Sequence, residues 1–191
     1  TWAILLGPWV AAATGLGLVL AWAYSAPPLR LKMNGWWGNS AVAISYEGLA
    51  WITGAAIVIG GDLPAEPILL IALLYSIGAH GIMTLNDFKS IEGDLTMGIR
   101  SLPAQLGPTR AARVACLFML LPQLIVILLL VRWSLMPFAL TVSLVVVAQL
   151  LAMRKLLRDP KQFAPWYNAT GVSLYVLGMM AVAIGLGGWL M

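Results

Sequence analysis

Residues 112–131 read ARVACLFMLLPQLIVILLLV, with Arg113 as their only charged side chain. A run of about 20 apolar residues is long enough for an α-helix to cross the hydrocarbon core of a bilayer. The whole chain is also strongly apolar, since 61% of its 191 residues are hydrophobic and 9% are charged. This composition excludes a water-soluble globule and a disordered chain, and no strand alternation typical of a β-barrel recurs. We therefore predict an all-α, polytopic transmembrane helix bundle.

Six segments are long and apolar enough to span the membrane, and we treat residues 1–191 as a single transmembrane domain. The six predicted spans are residues 2–22, 39–59, 67–85, 112–131, 135–153 and 167–190.

The basic residues predict the orientation of these spans. Of the 11 Lys and Arg residues, all but Arg132 lie in the loops after the first, third and fifth spans or at their edges. The positive-inside rule places those loops in the cytoplasm. The basic residues are thereby explained by topology, and no nucleic-acid partner is expected. The chain starts at Thr1 on the outer side, so we expect an odd number of earlier spans in a longer polypeptide, although a cleaved or trimmed start also fits.

An acidic cluster marks the point where the third span enters the cytoplasm. Of seven acidic residues, Asp87, Glu92 and Asp94 lie in NDFKSIEGD, residues 86–94. Clustered carboxylates repel one another and need a cation or a basic partner. On a helix, a spacing of seven residues puts Asp87 and Asp94 on one face, and their oxygens suit Mg²⁺ bound together with phosphate and water. The alternative is a solvated loop at a helix end.

A basic motif, YSAPPLRLK at residues 24–32, lies on the same side of the membrane. Pro27 and Pro28 end the helix before it. Arg30 and Lys32 then form a small cationic site, where charge-assisted hydrogen bonds would hold a diphosphate. The alternative is that these two residues only anchor the protein at the membrane surface.

Three further residues have open interpretations. Arg100, in GIRSLP at residues 98–103, meets a phosphate or pairs with Asp94. Glu47 lies inside the second span. A carboxyl group there indicates either a functional role or a neutral structural side chain that is hydrogen-bonded to a neighbouring helix. His80 either ligates the magnesium of a chlorin, shapes a substrate pocket, or is a buried, hydrogen-bonded histidine.

These motifs resemble those of the UbiA superfamily of membrane prenyltransferases, and within it those of the chlorophyll synthase group. The resemblance covers nearly the whole chain and is carried by residues 24–32, 34–36, 86–94 and 100–103. Residues 45–49 and 165–168 are similar to the bacteriochlorophyll branch of that group.

The resemblance implies a bundle of nine helices with two Asp-rich motifs on its cytoplasmic side. The six spans here resemble helices four to nine, and the second Asp-rich motif is present. The first motif and the first three helices are absent from this sequence. Two positions depart from the common pattern: Ser90 stands where the superfamily motif has Asp, and Leu95 stands where relatives often have Arg.

The implied activity is esterification of the propionate of bacteriochlorophyllide with geranylgeranyl or phytyl diphosphate, with Mg²⁺ as cofactor. The implied location is a bacterial inner membrane, cytoplasmic or intracytoplasmic, with the active-site loops on the cytoplasmic side. Besides the two substrates and the lipid bilayer, the expected partners are other pigment-biosynthesis or photosystem-assembly proteins.

The resemblance also implies a role for each motif residue. Asp87 and Asp94 are the expected catalytic and metal-binding residues. The expected substrate-binding residues are Tyr24, Arg30, Lys32, Lys89 and Arg100, with Asn86 and Glu92 in support. Glu47 and His80 are candidate pocket residues.

Two other hypotheses stay open at this point. The first is another UbiA-type enzyme, of the chlorophyll, quinone or haem pathway. In the quinone and haem pathways the acceptor is an aromatic ring or a vinyl group instead of a carboxylate. The second is a non-catalytic, pigment-binding membrane subunit derived from such an enzyme. The missing first Asp-rich motif favours the second hypothesis if the 191 residues are the entire protein.

Overall fold

The structure is a computed structural model that describes residues 2–189. This part of the chain is helical and has no β-strand, and six of its helical segments are long and apolar enough to cross a membrane. The protein is therefore a multi-pass, all-α membrane protein, which confirms the predicted fold class. The six spanning segments are Pro8–Ser25, Gly35–Val58, Glu66–Lys89, Pro108–Arg132, Met136–Leu156 and Pro160–Leu186.

The first span begins later than predicted. A short helix, α1 (Trp2–Leu5), precedes the spanning helix α2 (Pro8–Ser25). Gly7 separates the two with a φ of 123°, which favours glycine. Pro8 is suited to the first position of a helix because its missing N–H has no intrahelical partner there. The predicted range of 2–22 thus merged two helices.

The second span contains three parts: α3 (Gly35–Ala43), a single π-helical turn (Ile44–Gly48) and α4 (Leu49–Val58). It begins four residues before the predicted start at residue 39. The reason is a helix cap, because the side chain of Asn34 accepts a hydrogen bond of 3.0 Å from the backbone N–H of Trp36.

The remaining helices differ from the prediction mainly at the sixth span. It begins seven residues early, where Asp159 Oδ1 accepts a 3.2 Å hydrogen bond from the backbone N–H of Gln162. Its predicted end at Leu190 lies outside the described residues. The helices after the second span are α5 (Glu66–Asn86), α6 (Ile91–Thr96), α7 (Leu102–Leu106), α8 (Pro108–Arg132), α9 (Met136–Leu156) and α10 (Pro160–Leu186).

Helix α5 is the most buried spanning helix, and α3, α8 and α10 pack against it. Small residues permit these close contacts, since a Cβ atom on Gly81 would lie 2.5 Å from the backbone oxygen of Ala115. The hydroxyl of Tyr175 also donates a 3.0 Å hydrogen bond to the carbonyl oxygen of Tyr75. The C-terminal end of α5, which carries the acidic motif, is therefore held in a fixed position.

A reciprocal amide pair joins α8 to α9 inside the bundle. Gln123 Nε2 donates to Gln149 Oε1 at 3.1 Å, and Gln149 Nε2 donates to Gln123 Oε1 at 3.0 Å. Gln123 Nε2 also donates to the carbonyl oxygen of Met119. Both glutamine side chains are fully buried, so neither has water as an alternative partner.

Substitution of the two glutamines should have unequal effects on stability. Gln149→Leu leaves Gln123 Oε1 and one Gln123 N–H without a partner, but Gln123 Nε2 keeps its bond to the Met119 carbonyl. Gln123→Leu leaves the Gln149 side chain with no hydrogen bond at all. We expect a loss of about 1 kcal/mol for Gln149→Leu and roughly 2 kcal/mol for Gln123→Leu. The double Leu variant should be more stable than Gln123→Leu. Unfolding in mixed detergent micelles measures all three, and equal single-variant losses would contradict the asymmetry.

Candidate functional site

Two loops that are distant in sequence are joined at one end of the bundle. The backbone N–H of Gly35 donates a hydrogen bond of 2.7 Å to the carbonyl oxygen of Arg100. The backbone N–H of Arg100 donates one of 3.0 Å to the carbonyl oxygen of Met33. The contact is close because position 35 has no side chain: a Cβ there would lie 2.6 Å from the backbone nitrogen of Leu102. The basic motif of residues 24–32 is thereby brought beside the acidic motif.

A polar cavity of about 210 Å³ lies between these loops and the end of α5. Four residues predicted from the sequence line it, namely Tyr24, Lys32, Asp87 and Asp94. The other lining residues are Gly35, Gly38, Asn39, Ser90, Ile99 and Ser101.

The two aspartates both line this cavity, but they do not lie on one continuous helix as predicted. Spacing predicted one continuous helical face, but α5 ends at Asn86, a single 3₁₀ turn covers Asp87–Lys89, and α6 begins only at Ile91. Ser90 separates the two helical pieces with φ of −116° and ψ of 6°. Its Oγ lies 3.1 Å from both the carbonyl oxygen of Asp87 and Oδ2 of Asp94, which closes the turn and turns both carboxylates toward one cavity.

Each of the two carboxylates keeps free acceptor positions. Asp87 Oδ2 accepts one hydrogen bond, of 3.1 Å, from Nδ2 of Asn39, and Asp94 accepts the one from Ser90. A carboxylate has about four lone-pair positions, and Asp94 is only 8% exposed. Lys32 lines the same cavity. The site therefore offers negative oxygens for a cation beside a positive charge for an anion.

The donor set matches Mg²⁺ better than a metal that needs several protein ligands. Among residues 2–189, no group of three or more His, Cys, Asp or Glu is arranged to hold a metal ion. Magnesium commonly takes one or two carboxylates and completes its shell with substrate phosphate and water. Asp87 and Asp94 fit that pattern, and Glu92 is exposed instead of joining them.

Other predicted site residues lie elsewhere. Arg30 and Lys89 are exposed and do not line the polar cavity. Arg100 enters the site only through its backbone; its exposed side chain borders a neighbouring surface pocket, and its carbonyl oxygen accepts from Gln105. His80 stacks on Phe118 at 4.5 Å between ring centroids, and its Nδ1 lies 3.3 Å from Ser40 Oγ.

Two polar cavity residues, Asn39 and Ser101, had no role in the sequence-based prediction, and Ser90 was noted only as a departure from the common motif. Asn39 gave a usable signal, because an amide side chain at the edge of an apolar span needs a polar partner. The amide nitrogen of Asn39 donates hydrogen bonds to Oδ2 of Asp87 and, at 3.4 Å, to Oγ1 of Thr84. Ser101 gave no comparable signal, since serine is common in membrane-surface loops.

An apolar groove of about 400 Å³ borders the polar cavity. Tyr24 lines both spaces, so they meet at its side chain. The groove runs between α2 and the second span and is lined by Leu20, Ala21, Tyr24, Ser25, Ala41, Val42, Ser45 and Tyr46.

A second cavity, of about 470 Å³, contains the candidate pocket residue Glu47 together with Asn86 and Asn168. Asn168 Nδ2 donates to Asn86 Oδ1 at 2.8 Å, which links α10 to α5. Val42 and Tyr46 line this cavity as well as the apolar groove, so the two spaces are neighbours. We call this space the Glu47 cavity.

Comparison with known proteins identifies close relatives. The model of the UbiA prenyltransferase family matches residues 1–177. The chain is 55% identical over 184 residues to the bacteriochlorophyll synthase 33 kDa chain of Cereibacter sphaeroides and 50% identical over 186 residues to that of Rhodobacter capsulatus. Both alignments cover 96% of this chain and 61% of the relative, so the chain spans about three-fifths of their length. Chloroplastic chlorophyll synthase of Avena sativa is 38% identical, over 88% of this chain and 44% of that protein.

A solved structure supports the fold independently. It concerns a digeranylgeranylglyceryl phosphate synthase and superimposes with a TM-score of 0.75 over 96% of this chain and 63% of that chain. At 18% sequence identity this likeness shows the shared helix arrangement and no more.

The close approach at Gly35 can be tested through the backbone. Gly35→Ala should push the two loops apart and accelerate amide hydrogen exchange around Arg100 by about tenfold, as expected when a hydrogen bond worth about 1.4 kcal/mol is lost. Exchange of the peptide covering residues 97–102, followed by mass spectrometry, measures this. Gly93→Ala is the matched control, because a Cβ at Gly93 meets nothing within 4 Å. Unchanged exchange in Gly35→Ala would disprove the proposed steric constraint.

Proposed function

Because this chain belongs to the UbiA prenyltransferase family, we propose that it carries the diphosphate-binding part of a bacteriochlorophyll synthase. The proposed whole-protein reaction joins the propionate of bacteriochlorophyllide to geranylgeranyl or phytyl diphosphate and releases diphosphate. The loops that carry the polar cavity would face the cytoplasm of a bacterium, as the distribution of Lys and Arg predicts.

The observation that carries this proposal is the arrangement of the polar cavity beside the apolar groove. Asp87, Asp94 and Lys32 surround a space of about 210 Å³, and Tyr24 connects it to the groove. A prenyl diphosphate has the same two parts, a highly charged head and a long apolar chain. Sequence identity of 50–55% with two bacteriochlorophyll synthase chains supports the choice of acceptor.

The diphosphate head would bind at the two aspartates and the lysine. Members of the family generally use Mg²⁺, and Asp87 and Asp94 are the residues that would hold it here. Bound Mg²⁺ supplies positive charge that stabilises the leaving diphosphate. Lys32 adds a charge-assisted hydrogen bond, and the hydroxyl of Tyr24 is a further donor at the border between head and chain.

The apolar groove would hold the prenyl chain and keep water away from the reacting carbon. The bond between the allylic carbon and the diphosphate oxygen breaks, and its electron pair leaves with diphosphate. A carboxylate oxygen of the propionate then forms the new ester bond to that carbon, so no proton has to be removed. Exclusion of water prevents hydrolysis of the cation-like centre.

The role of the buried aspartate is tested by Asp94→Asn in the intact protein. This change removes a negative charge but preserves the shape, so we expect Mg²⁺-dependent prenyl transfer to bacteriochlorophyllide to fall at least 100-fold. Asp62→Asn is the control, because Asp62 is exposed in the loop between α4 and α5. Full activity of Asp94→Asn would exclude the assignment. Transfer to 4-hydroxybenzoate instead of bacteriochlorophyllide by the unaltered protein would indicate a quinone-pathway enzyme.

The role of the lysine predicts a change in donor affinity. Lys32→Gln should raise KM for the prenyl diphosphate about tenfold, since a hydrogen bond to a charged group contributes about 1.5–3 kcal/mol. The inhibition constant of inorganic diphosphate should rise in parallel, and KM for the acceptor should stay constant. Lys161→Gln, at an exposed lysine at the start of α10, is the control. An unchanged donor KM would remove Lys32 from the site.

A further inference from the structure

The Glu47 cavity contains a buried carboxyl group that the proposed chemistry does not use. Glu47 is 9% exposed and lies within the second membrane span. Its carboxyl group makes no hydrogen bond or ion pair with any other described residue, although it lines a cavity of about 470 Å³. A carboxyl group at membrane depth is costly unless something pairs with it. This position therefore calls for a ligand that offers a polar atom.

The backbone around Glu47 is held in place by the packing of the second span against α5. Glu47 lies in the π-helical turn Ile44–Gly48, a feature that interrupts a regular helix and often occurs at functional positions. The turn is also held against α5, since a Cβ on Gly48 would lie 2.5 Å from Oγ of Ser76. The position of the Glu47 backbone is thus part of the helix packing and does not depend on a flexible loop.

A second polar edge borders the same cavity. Asn86 accepts the 2.8 Å hydrogen bond from Asn168, and this leaves the Asn86 amide nitrogen without a partner among the described residues. Apart from Tyr46, the rest of the lining is apolar, as expected for a ligand with a flat hydrocarbon body and few polar groups. The apolar lining residues are Val42, Ala43, Ala79, Ile82, Met83, Val172 and Val176.

The position of the cavity relative to the polar cavity suits the acceptor of a prenyl transfer. Asn86 borders the Glu47 cavity and its neighbour Asp87 borders the polar cavity, so the two spaces adjoin at the end of α5. Glu47 follows Asn39 by eight residues on the second span, which is about 12 Å along a helix at 1.5 Å per residue. A molecule that presents its carboxylate near the diphosphate would extend toward Glu47.

We propose that the Glu47 cavity binds the ring of the tetrapyrrole acceptor and that the neutral carboxylic acid of Glu47 donates a hydrogen bond to a carbonyl oxygen on the ring edge. This inference rests on the proposed function. Bacteriochlorophyllide a carries an acetyl group where chlorophyllide a carries a vinyl group, and only the acetyl group has an oxygen for this bond. A buried polar group discriminates strongly against an analogue that leaves it unpaired. Glu47 is therefore a specificity-determining residue for the acetyl-bearing acceptor.

The test compares two acceptors in the intact protein. Glu47→Leu should lower kcat/KM for bacteriochlorophyllide a at least tenfold, because the hydrogen bond is lost. It should leave kcat/KM for chlorophyllide a unchanged or raise it, because no polar group is then left unpaired beside the vinyl group. Glu47→Gln, which still donates and accepts hydrogen bonds, should retain most of the preference. Glu66→Gln, at an exposed glutamate in the first turn of α5, should behave like the unaltered protein.

The outcomes separate this inference from the proposed function. Equal losses with both acceptors, or no loss with either, would overturn the inference. If Glu47→Leu does not fold, Glu47→Met replaces it, because a thioether of similar length cannot donate the hydrogen bond. The absorption of bound bacteriochlorophyllide a should then lose the red shift seen in the unaltered protein, and an identical spectrum would overturn the inference. An unaltered protein that transfers prenyl groups to neither acceptor would instead overturn the proposed function.

Discussion

Two backbone hydrogen bonds between the loop after α2 and the loop before α7 organise the functional end of the molecule. They join Met33 and Gly35 to Arg100 across more than 60 residues of sequence. Loops at a membrane surface have few apolar contacts to fix them, so a directional backbone contact is an effective way to hold one loop against another. The presence of Lys32 in the same cavity as Asp87 and Asp94 depends on this contact, and the contact in turn depends on the absence of a side chain at Gly35.

Hydropathy predicted the number and approximate position of the spans because the cost of exposing polar groups to lipid acts on every residue of a span. Helix ends were less predictable. Asn34 and Asp159 extend their helices beyond the apolar stretch through capping bonds, and Gly7 divides a stretch of nearly uniform hydropathy. Such effects depend on one residue each, whereas a hydropathy average is insensitive to single residues.

The acidic motif shows why spacing alone could not describe the site. The prediction that Asp87 and Asp94 share a helical face assumed an unbroken helix, and Ser90 interrupts it. Both side chains nevertheless line one cavity, because the hydroxyl of Ser90 stabilises the turn. Asn39 is separated from Asp87 by 48 residues, and no periodicity within one segment encodes such a contact. Arg100 contributes its backbone, a role that side-chain chemistry does not predict.

The second span carries both Asn39, which holds Asp87, and Glu47, which faces the cavity on the other side of α5's end. The two residues belong to one continuous helical segment, so a rotation or shift of that segment changes both environments together. A molecule bound against Glu47 that shifts this segment also changes the free energy of binding a charged head at Asp87. Thermodynamic linkage makes the effect equal in the opposite direction. Such a shift would couple the occupancy of one half of the site to the affinity of the other.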